Sequence, residues 1–478
     1  MRTQAISVDS PPQQRRRSLT IGATFVFLAL LSASVAFIPN MGFVAISAVY
    51  LGTFLAYLGL RSDGTGDVFE VIGLLSVISF LYFCVGTFYL VAVPAALEKP
   101  ALAPFLLPAL MLATLGYLCL LVGYGWSFRS TAPSPIGRFV PTNVLFCLVP
   151  AALGAVGMTV SNFQLQVFRN YGGISSSLSF LQQFGALFHF GWFLAWYLLW
   201  AKRLRTSTAL VLLAILTAMA AVVLYYTLGS KSMAVIMMAM PAMAYYEVKR
   251  KLPWKTGLAI VLVFLFVVFP AYNTFRRVDR NLDTTRRLDR TVQMAQGWGT
   301  HEFMDESVFA FLNRITIVTS VAAIISDTGR WVDYRYGETL LLAPIGLLIP
   351  RFLWPDKPNI SIGREFGATF RFTNAMDRET YIAPSMVGEL YWNFALPGVV
   401  LGMWLLGVGY RWYYQRYGVG SGFDPIRKAT YATLLPTALV FDGNVAIVIG
   451  AFVKTLVIIT VFVALSRRLG WLQLRADT

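Results

Sequence analysis

Charged residues are scarce in this sequence: Asp, Glu, Lys and Arg make up only 13% of its 478 residues, whereas hydrophobic residues make up 57%. A water-soluble domain of this length exposes far more charge, so the composition excludes an ordinary soluble enzyme. Uninterrupted apolar stretches of about 20 residues, the length that crosses a bilayer as a helix, explain the excess. The sequence therefore predicts an all-α polytopic membrane protein.

Cysteine and histidine are scarce as well. The three cysteines, Cys84, Cys119 and Cys147, lie inside apolar stretches, so the sequence predicts no disulfide framework. The chain has two histidines, and no Cys/His pair has the spacing of a zinc site. We therefore expect no metal and no cofactor.

The net charge of +16 could indicate a nucleic-acid partner, but its distribution argues against one. Many basic residues fall in short links that the order of the spans places in the cytoplasm, which is the positive-inside bias of membrane proteins. We expect membrane lipid, and no nucleic acid, as the partner of these residues. They include Arg15, Arg16, Arg17, Lys202, Arg203, Arg205, Lys249, Arg250, Lys251, Arg467 and Arg468.

The hydrophobic pattern predicts about twelve spans, and an even number places both termini in the cytoplasm. Val308–Ser326 and Leu340–Trp354 are apolar but interrupted by Arg or Pro, so we expect interfacial or re-entrant helices there; two further spans would preserve the parity. The predicted regions are a disordered cytoplasmic N-terminus (1–18), a bundle of about nine spans (19–272), a large helical extracytoplasmic loop (273–395), C-terminal spans (396–466) and a cytoplasmic tail (467–478). The predicted spans are 19–38, 41–60, 68–93, 102–126, 142–162, 181–201, 207–228, 233–248, 256–272, 396–414, 429–441 and 445–466.

The large loop, residues 273–395, is dense in charge yet neutral, with 13 Arg and 1 Lys against 8 Asp and 6 Glu. Such a segment is expected to fold with many of its charges paired. Arginine binds phosphate through two parallel hydrogen bonds and stays protonated. The arginine candidates for binding phosphate, each with an ion pair to a carboxylate as the alternative, are Arg276, Arg277, Arg314 and Arg351. The outward-facing Lys231 is a further candidate, with a cap at the span boundary as the alternative.

Other residues are candidates for acid–base chemistry or sugar binding. Glu389, just before the tenth span, could serve as a general base or as the partner of an arginine. Asp442, between the last two spans, has the same two possible roles. Aromatic residues of the large loop, among them Trp354 and Tyr391, could stack on sugar rings or belong to the interfacial belt.

Two segments near the end of the large loop carry recognisable motifs. The first reads Ile349-Pro350-Arg351-Phe352-Leu353-Trp354-Pro355-Asp356-Lys357-Pro358 and is followed by Gly363 and Phe366. The second reads Gly388-Glu389-x-Tyr391-x-Asn393-Phe394 and leads into a span with Gly398, Gly402 and Gly407. With Gly229-Ser230-Lys231 upstream, they resemble bacterial oligosaccharide repeat-unit polymerases, the Wzy-type O-antigen and exopolysaccharide polymerases. Ala395 stands where that pattern has a glycine.

The resemblance implies a metal-independent membrane glycosyltransferase of GT-C-like fold in the bacterial inner membrane. Its substrates would be undecaprenyl-diphosphate-linked oligosaccharides, polymerised on the periplasmic face, and a chain-length regulator would be a further partner. Arg314, Arg351, Arg276, Arg277 and Lys231 would hold the diphosphate. Glu389 would orient or deprotonate the acceptor hydroxyl, and the glycan would contact Trp354, Tyr391 and Asn393.

Two alternatives use related substrates. An O-antigen ligase transfers the same donor glycan to lipid A core and typically carries an external histidine, for which His301 is the candidate. A transporter or flippase of lipid-linked oligosaccharide would also suit twelve spans, with Asp442 and Lys454 as its charged residues. Transporters usually show two similar halves, which this sequence lacks.

Overall fold

The computed structural model describes residues 41–60, 67–126, 139–141, 143–171, 181–226, 231–251, 254–278, 284–294, 301–340, 354, 362–374, 377, 380–418 and 424–474. These residues are mainly helical, with one antiparallel pair of short strands that joins Phe139 to Leu474. The helices are α1 Met41–Leu60, α2 Val71–Ala92, α3 Leu106–Gly125, α4 Leu145–Tyr171, α5 Gly185–Trp200, α6 Thr206–Tyr226, α7 Lys231–Lys249, α8 Trp254–Val263, α9 Phe269–Arg277, α10 Thr284–Met294, α11 His301–Arg314, α12 Val318–Asp327, α13 Gly363–Thr369, α14 Met386–Tyr413, α15 Pro425–Ala438 and α16 Val445–Arg468; the strands are β1 Phe139–Pro141 and β2 Leu472–Leu474.

Six helices within the described residues are long and apolar enough to cross a membrane. They lie at α2, α3, α4, α6, α14 and α16, so the chain is an all-α, multi-pass membrane protein. Val308–Arg314 and α12 together form a further apolar pair that bends by 43°, in agreement with the interruption predicted near Arg314. The predicted span 19–38, most of Leu340–Trp354 and the first 18 residues lie outside the described residues, and twelve spans stay a prediction.

Helix α3 packs closely along α14, the largest helix–helix contact of the described fold. Gly123 and Gly407 permit this approach. A Cβ on Gly123 would lie 2.1 Å from the carbonyl oxygen of Trp404, and one on Gly407 would lie 2.1 Å from that of Leu120. Between helices in lipid, small residues allow backbones to approach closely and gain dispersion contacts.

Buried polar groups hold together what we call the lower end of the bundle. The hydroxyl of Tyr431 donates to the carbonyl of Phe69 at 2.6 Å, and that of Tyr414 donates to Asp67 at 3.0 Å. Lys428 of α15 forms a 2.9 Å ion pair with Glu247 of α7, and both side chains are buried. Paired charges avoid the cost of an isolated ion in an apolar bundle.

Helices α14 and α16 begin together at the opposite end, which we call the upper end. The backbone N–H of Ser385 donates to the carbonyl of Asp442 at 3.0 Å, and that of Met386 donates to Phe441 at 3.3 Å. These bonds place the first turn of α14 against the turn that precedes α16. The site described below is built around that turn.

Helix α14 begins ten residues before the span predicted at 396–414, because the Ser385 hydroxyl caps it by accepting the Gly388 N–H at 3.1 Å. The helix is then broken at Phe394 and Ala395, where φ is −139° and +52°. The hydrophobic pattern detects only the second, apolar part. The positive φ of Ala395 explains why a glycine is expected there.

Candidate phosphate pocket at the upper end

Five segments surround a polar pocket of about 180 Å³ at the upper end. They are the link between α2 and α3, the bend between α11 and α12, Phe372 after α13, residues 381–383, and the turn before α16. The charged residues that line the pocket are Glu98, Lys99, Arg314 and Asp442. The pocket thus gathers two cations and two carboxylates from three parts of the chain that are distant in sequence.

Arg314 is the last residue of α11, and neighbouring contacts fix its backbone. The hydroxyl of Tyr89 in α2 donates to the Asn313 amide oxygen at 3.1 Å. Gly86 of α2 lies so close to the bend that a Cβ there would be 2.3 Å from the carbonyl oxygen of Ile315. The bend is therefore held against α2 and directs the end of α11 toward the pocket.

The ion pair of Arg314 is loose. Its Nη2 lies 3.8 Å from Oδ2 of Asp442, and the arginine side chain is 72% exposed while that of Asp442 is 20% exposed. A pair this long and this exposed contributes little stability. An anionic ligand could therefore displace Asp442 from the guanidinium at low cost.

Lys99, which also lines the pocket, is held more firmly than Arg314. Its Nζ donates to the carbonyl of Phe370 at 2.6 Å and lies 4.1 Å from the centre of the Phe372 ring. Burial lowers the pKa of this ammonium, and nearby Arg371 lowers it further, while Asp327 and Glu98 oppose the change. A negatively charged ligand would favour the protonated form of Lys99.

Tyr381 closes the pocket beside Asp442. Burial, together with the charges of Glu389 and Asp442, raises the pKa of its phenol to about 12, so it stays a neutral hydrogen-bond donor at physiological pH. The hydroxyl donates to the Asn444 amide oxygen at 3.3 Å. Gly363 of the first motif lies directly against the ring, since a Cβ there would be 2.3 Å from it.

Glu389 lies behind the pocket, completely buried. Its Oε2 accepts the backbone N–H of Val445, and the N–H of Ala446 also points at the carboxylate. These are the first residues of α16, whose N-terminus carries partial positive charge, so Glu389 acts as the cap of that helix. Its Oε1 and Nδ2 of Asn444 are both buried without a hydrogen-bond partner of normal geometry among the described residues.

Asn393 also has a structural role. Its amide nitrogen donates to the Thr339 hydroxyl at 2.7 Å and to the Glu389 carbonyl at 2.8 Å. Its amide oxygen accepts the Gly337 N–H at 2.9 Å. Buried and bonded at both ends, Asn393 joins the segment after α12 to α14 and has no amide hydrogen left for a glycan.

The other predicted site residues are less well placed by the structure. Tyr391 is half-buried beside Tyr334, and Trp354 is half-buried. The side chains of Lys231, Arg276 and Arg277, and the whole of Arg351, lie outside the described residues, as does the side chain of His301. Of the predicted phosphate-binding residues, the structure thus brings Arg314 alone into the described pocket.

Sequence reasoning missed Lys99 and Tyr381. A signal for Lys99 existed: it lies in the short link between the predicted spans 68–93 and 102–126, on the same side of the membrane as the large loop. Tyr381 had no such signal, because its place depends on the ring packing against Gly363 and on the turn at Asn444. Both are contacts between segments distant in sequence.

Comparison with protein families gives a match to this chain. The model of a family described as a domain of unknown function, DUF8712, covers residues 157–415, more than half of the chain. The match includes α11, α12 and α14, and so Arg314 and Glu389, but neither Lys99 nor Asp442. No curated protein matches the chain, and no solved structure does.

Proposed function

The chain belongs to the DUF8712 family, defined by a domain of unknown function, and we propose that it is a membrane glycosyltransferase. It polymerises undecaprenyl-diphosphate-linked oligosaccharide repeat units into a surface polysaccharide or exopolysaccharide. The growing glycan moves as a block from its own lipid diphosphate to the next lipid-linked unit. The GT-C-like fold, the twelve spans and the periplasmic face of the bacterial inner membrane belong to the same proposal.

The observation that carries the proposal is the pocket at one end of a membrane bundle that Lys99 and the loosely paired Arg314 both line. Two cations on separate elements suit a diphosphate, which carries negative charge on both phosphates. The position at the end of apolar helices suits a head group whose hydrocarbon chain stays in the bilayer. One of the motifs that resemble repeat-unit polymerases, Gly388-Glu389-x-Tyr391-x-Asn393-Phe394, forms the start of α14 at this end.

The reaction assigns a role to each charged group in the pocket. The acceptor hydroxyl oxygen bonds to the anomeric carbon of the donor glycan, and the bond from that carbon to the diphosphate oxygen breaks. The diphosphate leaves with the electron pair, and Lys99 and Arg314 stabilise its developing charge. The proton of the acceptor hydroxyl passes to Asp442, which the bound diphosphate has separated from Arg314.

Glu389 takes a different role from the one that the resemblance implies. Its buried carboxylate holds the start of α16, two residues after the Asp442–Gly443 turn, and does not line the pocket. We therefore propose Asp442 as the general base and Glu389 as a positioning residue. Arg351, Arg276, Arg277 and Lys231 are further diphosphate-binding residues, and Trp354 and Tyr391 glycan-binding residues, in this proposal.

Reconstitution with purified lipid-linked repeat unit tests the chemistry. The wild-type chain should form a ladder of polymers, and EDTA should leave the ladder intact. Asp442→Asn should lower kcat by about 10²–10⁴-fold without raising KM, because it removes a base but frees Arg314 for the diphosphate. Arg314→Ala should raise KM as well as lower kcat.

Glu389→Gln should retain a bell-shaped or sigmoidal pH profile like that of the wild type, since the side chain at position 389 lies outside the proton path.

A deletion strain tests the biological step. Complementation with Arg314→Ala should leave single repeat units on the surface and abolish long chains, while Arg330→Ala, an exposed arginine outside the pocket, should restore long chains. Repeat units trapped in the inner leaflet would instead favour the transporter. Long chains that fail to join lipid A core would favour the ligase. Either result, or a ladder abolished by EDTA, contradicts the proposal as stated.

A further inference from the structure

An apolar groove runs between α14 and α16 below the pocket. Its volume is about 490 Å³, and its lining is almost entirely hydrocarbon and aromatic, including Leu390, Leu406, Tyr410, Ala446, Ile449 and Phe452. Both flanking helices are long and apolar enough to cross a membrane. The groove therefore lies at the depth of the bilayer.

We propose that this groove binds the polyprenyl chain of the lipid diphosphate whose head group occupies the Lys99–Arg314 pocket. The inference rests on the proposed function and adds where the chain lies and between which helices it arrives. A substrate held in this way would pass from the bilayer into the site sideways, between α14 and α16, with its head group toward the upper end.

The groove and the pocket share one short segment of chain. Asp442 lines the pocket, and Val445 and Ala446, three and four residues later, line the groove. Leu390 of the groove directly follows Glu389, which caps the same segment. A single amphiphile could therefore place its charged head on one side of this turn and its chain on the other.

Packing indicates that the groove is built to be filled from the membrane. A void of this size deprives its walls of dispersion contacts unless another molecule supplies them. Gly409 on α14 borders open space, because a Cβ there would meet nothing within 4 Å, so a larger side chain at this position would enter the groove. Leu405, Trp412 and Ile449 at its edges are exposed, so the groove opens toward lipid.

The charged groups of the pocket indicate which kind of lipid the groove binds. A phospholipid acyl chain would fit the apolar walls equally well, but its head group usually presents a single phosphate. Lys99 and Arg314 come from different elements and together offer one cation for each phosphate of a diphosphate. Continuity between pocket and groove therefore favours a polyprenyl diphosphate over an ordinary membrane phospholipid.

The test varies chain length and groove volume independently. Binding of geranyl, geranylgeranyl and undecaprenyl diphosphate is measured on the full chain in phosphatidylcholine nanodiscs. Affinity should rise with chain length. In Gly409→Leu the affinity for the long chains should fall about tenfold relative to the wild type, which corresponds to the loss of about two buried methylenes. The matched control is Gly73→Leu on α2, where a Cβ also meets nothing within 4 Å; it should bind like the wild type.

Several outcomes separate this inference from the proposed function. If affinity is independent of chain length while geranyl diphosphate still binds through Arg314, the groove does not bind the polyprenyl chain. This result would contradict the inference about the groove but not the proposed function. Equal displacement by phosphatidylglycerol would mark an ordinary lipid site and also overturn it. If no diphosphate binds, both fail. Should Gly409→Leu not fold, Ile449→Trp narrows the groove from the other wall and must produce the same loss for long chains.

Discussion

At the scale of single residues, the pocket combines a firm cation with a loose one. Lys99 is fixed by a carbonyl and an aromatic ring, whereas Arg314 is held by one long ion pair. Arginine stays protonated throughout the range in which proteins are folded, but a lysine whose pKa is lowered does not. The pH dependence of anion binding should therefore report on Lys99.

Diphosphate binding should weaken as pH rises through the lowered pKa of Lys99, starting below about 10.4, the ordinary value for lysine. The sign follows from charge: the proton leaves Lys99 at a lower pH than usual, and the neutral amine no longer attracts the anion. Loss of this charged contact should cost roughly 10- to 100-fold in affinity. Titration calorimetry with inorganic diphosphate between about pH 7 and 10 measures the change.

Lys99→Arg provides the control for that titration, because guanidinium keeps its charge. Titration of the diphosphate itself affects both proteins equally and cancels in the comparison. If wild type and Lys99→Arg lose affinity in parallel, the ammonium of Lys99 does not contribute to the binding.

The roles of single residues were the least predictable from the sequence. Glu389 was a candidate base because it is an acid beside aromatic residues at a span boundary, and sequence alone could not show that Val445 N–H occupies one of its oxygens. Arg314 could be placed at the membrane boundary by its apolar neighbours. Its partner, Asp442, lies 128 positions away and is brought near by the fold.

At the scale of elements, hydrophobic length predicts the uninterrupted helices well. The stretches predicted at 102–126, 207–228 and 445–466 correspond to α3, α6 and α16 within a few residues at each end. Apolar runs of this length have one stable backbone conformation in a bilayer, which explains the agreement. Where polar residues and caps determine the start of a helix, as at α14, the hydrophobic pattern does not predict that start correctly.

The break in α14 carries a local cost that a single substitution should relieve. Ala395 adopts φ +52° and ψ −145°, a region that glycine occupies far more readily than alanine. Ala395→Gly should therefore stabilise the protein by about 1 kcal/mol, against the usual effect of glycine in a helix. Thermal melting of the purified protein in detergent, followed by intrinsic fluorescence, measures it.

Ala214→Gly in the middle of α6 is the matched control for Ala395→Gly. That position is an exposed helical residue, and the substitution should destabilise by roughly 1 kcal/mol. If both glycines lower the melting temperature alike, the backbone at position 395 is not strained. Its positive φ would then not explain why the resembling polymerases have a glycine at this position.

At the scale of the whole molecule, the two ends of the bundle differ in chemistry. The lower end combines the buried Lys428–Glu247 pair with basic links such as residues 202–205 and 249–251. The upper end carries the pocket and the charge-balanced segments that surround it. Because basic links favour the cytoplasm, this asymmetry predicts that the pocket lies on the extracytoplasmic side.

Cysteine labelling tests that orientation. In a background with Cys84, Cys119 and Cys147 replaced by Ala, single cysteines are introduced at two exposed positions, Asp333→Cys near the upper end and Gln473→Cys after α16. A membrane-impermeant maleimide should label Asp333→Cys in cells with an intact inner membrane and Gln473→Cys only after permeabilisation. Each variant must first restore long chains in the deletion strain, so that labelling reports on a folded protein.

The opposite labelling pattern would place the pocket in the cytoplasm, away from the periplasmic face on which the proposed polymerase acts. It would therefore contradict both the predicted topology and the proposed polymerase. Labelling of both cysteines in intact cells would place the two ends on the same side, which a bundle with an upper and a lower end does not allow. Lys202 is exposed in a basic link between α5 and α6. Lys202→Cys should therefore be labelled only after permeabilisation, like Gln473→Cys, because the charge of this link predicts that it lies in the cytoplasm.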